Sequence, residues 1–356
     1  MERLSNENFK QRELENCNFV KTILMLIVIF YHSFLFWGGS GWFTNNPALS
    51  GPGLGLMASW LGNIHIYAFT LVSGYIYAYI KYEKKKYDKF IPFTLNKTKR
   101  LLVPYLFVAI CWVIPFCVYY LNYSVKGIFF DTFLGNSPSQ LWFLVMIFVV
   151  FIMFDVLAKF FEKYDFWGAV VCIALYVFSI VGTKYLPNVF MIFKACSFAP
   201  LFWLGLKLRQ KWSIIIRKIP ALVFLVADIG IFLILRYVLV GEGLIFTIIS
   251  TAGTFVLRVL GGLTAFVCLQ KLADFLSSWK NNKFFTALSK YSMPMFLFHQ
   301  QIIYISISLL NGAIHPYLHG ILNFVISSAV SFAISFILMK FAPTRFLIGE
   351  KKSKSE

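Results

Sequence analysis

The sequence predicts an all-α polytopic membrane bundle of about ten transmembrane helices with both termini cytoplasmic. Three observations carry that reading. Of 356 residues 59% are hydrophobic and only 13% charged, with a mean hydropathy of +0.73; soluble domains carry roughly 25% charged residues. Long, nearly charge-free runs recur from end to end, each able to cross a hydrocarbon core about 30 Å thick. Finally, 28 of the 33 Lys and Arg fall in alternate connecting segments, as the positive-inside rule requires.

The first run, "NFVKTILMLIVIFYHSFLFW" at 18–37, is too long for a signal peptide and ends on Trp37 rather than a small-residue cleavage site. Further spans are expected at 55–80, 101–121, 141–160, 166–186, 190–206, 219–240, 244–270, 291–311 and 320–342. The basic segments are then 1–21, 81–100, 159–163, 207–218, 271–290 and 340–356, which leaves Lys126, Lys184, Lys194, Arg236 and Arg258 elsewhere. The net charge of +18 is therefore topology rather than a nucleic-acid footprint. One membrane domain is expected at 18–342, between a short cytoplasmic segment at 1–17 and a cytoplasmic tail at 343–356 whose "GEKKSKSE" end is expected to be disordered. The outer loops "GGSGWFTNNPALSGPGLG" and "NGAIHPYLHG" are too short to hold a separate domain, so any chemistry takes place among the helices. The six cysteines show no CxxC spacing and read as small apolar residues of the core, not as a disulfide frame or a metal site.

Polar side chains inside spans are costly and mark functional sites by default. Lys21 and His32 are eleven residues apart, three helical turns plus about 20°, so they share a face with Asn18. The ninth span places Ser292, His299 and Ser306 seven apart on one face. Arg258 sits deep in the eighth, with Asp228 of the seventh as a candidate ion-pair partner, and His65 and Ser73 lie in the second. Together these residues describe a polar cavity within the bundle. A neutral imidazole there is suited to take a proton from a hydroxyl. HExxH, GxSxG and Walker-type patterns are missing, which argues against a metal centre, a serine hydrolase and a P-loop ATPase.

An ordered set of short motifs then stands out. "NFVKTILMLIVIFYH" holds Lys21 and His32, "FTLVSGYIY" holds Ser73 and Tyr75, and "NKTKRLLVPY" holds Lys97, Lys99, Arg100 and Pro104. "QLWFL" holds Trp142, and "LSKYSMPMFLFHQ" holds Ser292 and His299. In this order, from about residue 12 to 340, they resemble the membrane acyltransferase-3 family of bacterial surface-polysaccharide O-acetyltransferases. Two departures are visible: Asn18 stands where the family pattern has an acid, and lysines stand at 97 and 99 where many members have arginines.

The resemblance implies an O-acetyltransferase of the bacterial cytoplasmic membrane. It would move an acetyl group from cytoplasmic acetyl-CoA to a hydroxyl of an extracytoplasmic glycan or its lipid-linked precursor. His32, His299 and Arg258 would be catalytic, with His32 as the base. Lys21, Lys97, Lys99, Arg100, Ser73 and Tyr75 would hold the acyl-CoA, and Trp142, His65 and Ser292 would meet substrate. No metal is expected. A rival class fits the same cavity: an exporter of polysaccharide or lipid-linked sugar, which would tolerate loss of His32 better than an enzyme would.

Overall fold

The computed structural model describes residues 2–39, 46–86, 89–137 and 139–350, with the side chains of 2–6 left out. Part of the first outer loop and the 351–356 end of the tail lie outside the described residues. All regular structure among those described is helical. Helices occupy all ten predicted positions. Eight are long and apolar enough to cross a membrane: α1 (Glu7–Gly38 of a helix that starts at Glu2), α2 (Leu54–Glu83), α3 (Phe90–Leu121), α5 (Asp165–Tyr185), α7 (Ala221–Val238), α8 (Leu244–Phe275), α9 (Lys283–Leu310) and α10 (Pro316–Lys340). The other two, α4 (Trp142–Val156) and α6 (Ile192–Lys207), have 15 and 16 residues. Short helices suffice because α6 is walled in by α2, α4 and α5 and buries Ala195, Ala199, Phe202 and Leu206 against them.

The N-terminal segment does not hang free. It continues α1 without a break, because its polar side chains find partners at the lysine-rich end of the bundle. Fully buried Glu13 accepts from the Tyr75 hydroxyl at 2.5 Å, and Asn16 donates to Asp274 at 2.7 Å. Arg209 donates to the Lys10 carbonyl at 2.8 Å.

Three local devices position the site. α2 is interrupted after Leu61 and restarts at His65, which sets that histidine at the head of its inner half. Gly74 of α2 and Gly205 of α6 let the two helices touch backbone to backbone, since a Cβ on either would meet the Phe202 or the Leu71 carbonyl. In α3, π-helical turns at Thr98–Leu102 and Ala109–Val113 each end just before a proline, Pro104 and Pro115. Proline has no N–H to return to the preceding turn, and the wider turn absorbs the mismatch.

The tail is ordered as far as residue 350. A short helix, α11 (Ala342–Leu347), is pinned by Arg345 donating to the Met339 carbonyl at 3.0 Å, and Ile348 is fully buried. Gly349 then turns with φ +80° against Pro104 and the Arg100 carbonyl, which the missing N–H of Pro104 leaves outside the helical ladder. Of the "GEKKSKSE" stretch expected to be disordered, only Gly349 and Glu350 are among the described residues, and the rest of that expectation lies outside them.

Candidate active site

His32 of α1 and His299 of α9 meet across two adjacent helices, with Nδ1 of the first 2.9 Å from Nε2 of the second. Their protonation follows from the next contact. His299 Nδ1 lies 2.8 Å from the Phe296 carbonyl, which can only accept, so that nitrogen carries the proton. In the neutral ring Nε2 is then an acceptor and takes a hydrogen bond from His32 Nδ1–H. The proton of His32 is thereby fixed on Nδ1, and its Nε2 is left as the basic nitrogen. Tyr31 packs beside the pair, 4.9 Å from the His32 ring and 4.5 Å from that of His65. His65 is held in turn by the Leu61 carbonyl, 2.6 Å from its Nδ1.

A cavity of about 1010 Å³ leads toward this pair from the lysine-rich end. On α1 its wall is Asn18, Lys21, Thr22, Met25 and Val28, one face of the helix whose next step is His32. On α9 it is Ser289, Lys290, Ser292, Met293 and Phe296, the face that ends at His299. Phe69, Phe143 and Phe296 narrow the inner end, with Phe143 6.1 Å from Phe69 and 6.2 Å from Phe296. The outer part is cationic. Lys21, Lys84, Lys86, Lys97, Arg100 and Lys290 line it, and among the described residues Glu350 is the single carboxylate of the lining. Lys97 lies over the Phe151 ring at 3.2 Å. Burial pushes the Glu350 carboxyl above its usual range, against the pull of Arg100, Lys21 and Lys290.

Of the residues expected to hold a donor, Lys21, Ser73, Lys97 and Arg100 line this cavity. Lys99 is exposed and is not in the lining. Tyr75 is fully buried away from it, bonded to Glu13 and accepting from Arg209 at 3.1 Å, so it is a structural tie. Ser73 and Gly74 divide their work: the glycine packs on α6 and the serine faces the cavity.

The substrate-side residues separate. Ser292 opens into the same cationic cavity. Trp142 and Arg258 do not line it; the Trp142 ring lies under Lys194, 5.3 Å away, and Arg258 stands 5.3 Å over the ring of Tyr67. The proposed pairing of Arg258 with Asp228 is not made. Asp228 accepts from the Trp60 indole at 2.8 Å instead, a partner whose N–H costs less to bury than a full charge.

Sequence reasoning missed Lys290, Lys84, Lys86 and Glu350. Lys290 carried a usable signal, since it precedes His299 by nine residues much as Lys21 precedes His32 by eleven. A second omission is the polar seam beside His299. The backbone N–H of Gln140 donates to Gln300 at 2.7 Å and its side chain to the Leu297 carbonyl at 2.7 Å, while Trp112 donates to Gln301 at 3.1 Å. These bonds lock the helix turn that carries His299.

Comparison with known families finds one model, of an acyltransferase domain, matching residues 14–340. Neither a curated protein nor a solved structure matches the chain.

Proposed function

The chain belongs to the acyltransferase-3 family and is a multi-pass membrane acyltransferase; from that premise we propose that it moves an acetyl group from cytoplasmic acetyl-CoA to a hydroxyl of an extracytoplasmic glycan, in a bacterial cytoplasmic membrane. The observation that carries this reading is the His32–His299 pair, one helical turn beyond Val28 and Phe296 of a cavity that six cations line. If the lysine-rich end faces the cytoplasm, as the charge alternation predicts, the mouth opens where CoA is found. The phosphates of CoA suit Lys21, Lys97, Arg100 and Lys290, and its pantetheine arm suits the apolar walls beyond.

The reaction then follows from the protonation of the pair. The acceptor hydroxyl approaches His32 Nε2, which takes its proton as the oxygen attacks the thioester carbonyl. The tetrahedral intermediate collapses with cleavage of the C–S bond, and the departing CoA sulfur receives the proton held on His32. His299 keeps the His32 ring in the basic tautomer and accepts part of the positive charge that develops on it. A conduit for export would need no such base, so the paired histidines favour transfer.

The test is acetyl transfer from labelled acetyl-CoA to candidate glycans by the purified protein in nanodiscs. His32→Ala should lose about a hundredfold or more of the transfer rate and still bind CoA. Full transfer by that variant would overturn the reading.

A further inference from the structure

Outside the lining of the cationic cavity, five helices contribute a row of rings and charges. Lys194 lies over Trp142, 5.3 Å from its centroid. Trp142 stands 6.2 Å from Phe198, and Phe198 stacks on Tyr67 at 4.8 Å with the planes 5° apart. Arg258 covers Tyr67, again at 5.3 Å. Tyr67 is within electrostatic reach of Tyr31, whose ring packs on His32. The row thus begins with the exposed Lys194 at the head of α6 and leads inward to the base.

Its two cations lack compensation. Lys194 and Arg258 are close enough to feel each other's charge. Among the described residues neither makes an ion pair or a side-chain hydrogen bond, and Arg258 Nε is buried with no partner. The nearest candidate carboxylate, Asp228, is committed to Trp60. Both cations also lie outside the six basic segments, so the positive-inside rule does not account for them. A partnerless guanidinium nitrogen buried in a bundle, with a second cation nearby, is costly unless an anion joins them.

We propose that this row is the acceptor subsite and that the acceptor is an anionic glycan, one bearing a carboxylate or phosphate on the sugar next to the acetylated hydroxyl. Lys194 and Arg258 pair with the anionic groups, the partly exposed Trp142 takes the apolar face of a sugar ring, and the hydroxyl is delivered past Tyr31 to His32. This inference rests on the acetyl-transfer reading above, and its test reads binding so that the two can fail separately. A phosphate on a lipid headgroup offers the same chemistry, and the test separates it from the glycan.

The protein is placed in phosphatidylcholine nanodiscs and titrated with an oligosaccharide of uronic acids and with a neutral one of equal length. The wild type should bind the acidic chain about tenfold more tightly, and the advantage should shrink as salt rises. Lys194→Gln and Arg258→Gln should each remove most of that advantage, leaving affinity for the neutral chain and for acetyl-CoA unchanged. Lys194 is exposed, so its variant remains informative if the Arg258 variant fails to fold. Equal binding of both chains by the wild type, or undiminished acidic binding by Lys194→Gln, would overturn the proposal while acetyl transfer could still stand. Phosphatidylglycerol that displaces the acidic chain from the wild type and binds Arg258→Gln poorly would assign the row to a lipid headgroup and likewise overturn it. Selective acidic binding without transfer to any glycan would instead sink the acetyl-transfer reading.

Discussion

His32 Nδ1 and His299 Nε2 are 2.9 Å apart, and the Phe296 carbonyl behind His299 decides which nitrogen of each ring carries the proton. In the proposed transfer the pair acts as a unit: one ring would do the chemistry and the other would set its tautomer. His299→Ala should lower kcat by about 10–100-fold with the KM for acetyl-CoA nearly unchanged, because the donor cavity ends before that ring. His299→Gln should recover part of the loss, since an amide can still accept from His32 Nδ1–H. Equal damage by both substitutions would show that the ring serves packing alone.

The cationic mouth makes a second prediction with an internal contrast. Lys21→Gln and Arg100→Gln should each weaken CoA binding by about fivefold, as expected for roughly 1 kcal/mol of a partly screened phosphate contact. They should also flatten its dependence on salt. Lys99→Gln should do neither, because that exposed side chain is not in the cavity lining although it lies between Lys97 and Arg100, which are. Binding measured on all three proteins checks this directly, and a Lys99→Gln effect as large as the others would reassign the cluster to general surface charge.

Glu350 brings the only carboxylate in that lining among the described residues, so it would compete with a CoA phosphate for Arg100, Lys21 and Lys290. Glu350→Gln should bind CoA about fivefold more tightly. The sign with pH follows from burial, which raises its carboxyl above the usual range. Lowering the pH through that raised value protonates Glu350, removes the competing charge and should tighten CoA binding; raising it restores the competition. The CoA phosphates titrate as well, so the useful quantity is the ratio of the two proteins' affinities, which should approach one at low pH. A ratio that stays constant with pH would remove Glu350 from the mouth.

The legible and illegible parts of this molecule divide along the range of the interactions. Spans were readable because each needs only its own apolar run, and the Lys21–His32 face because a helix has a fixed period. The meeting of His32 with His299 spans 267 positions and depends on which helices become neighbours, which periodicity does not encode. Glu350 is the clearest case. The sequence lacks an acid at Asn18, and a carboxylate reaches the neighbourhood of Lys21 from the opposite end of the chain, carried there by a turn at Gly349. The order in 2–17 was hidden for a different reason: a charged segment looks solvated until Tyr75, Arg209 and Asp274 are seen to partner it.

Ser73 and Gly74 give a last prediction, because adjacent positions in one motif face opposite ways. A Cβ at Gly74 would press on the Phe202 backbone carbonyl, and backbone cannot move aside as a flexible side chain would. Gly74→Ala should therefore destabilise the bundle by about 1–3 kcal/mol, the range for overpacking a tight contact, and Gly205→Ala should behave alike from the α6 side. Ser73→Ala removes a hydroxyl from the cavity wall without touching that contact, so it should leave the unfolding temperature in place and alter only the affinity for CoA. Thermal unfolding in detergent beside CoA titration distinguishes the two. Should Ser73→Ala unfold as early as Gly74→Ala, the motif would be a packing device throughout, and the serine would have no part in holding the donor.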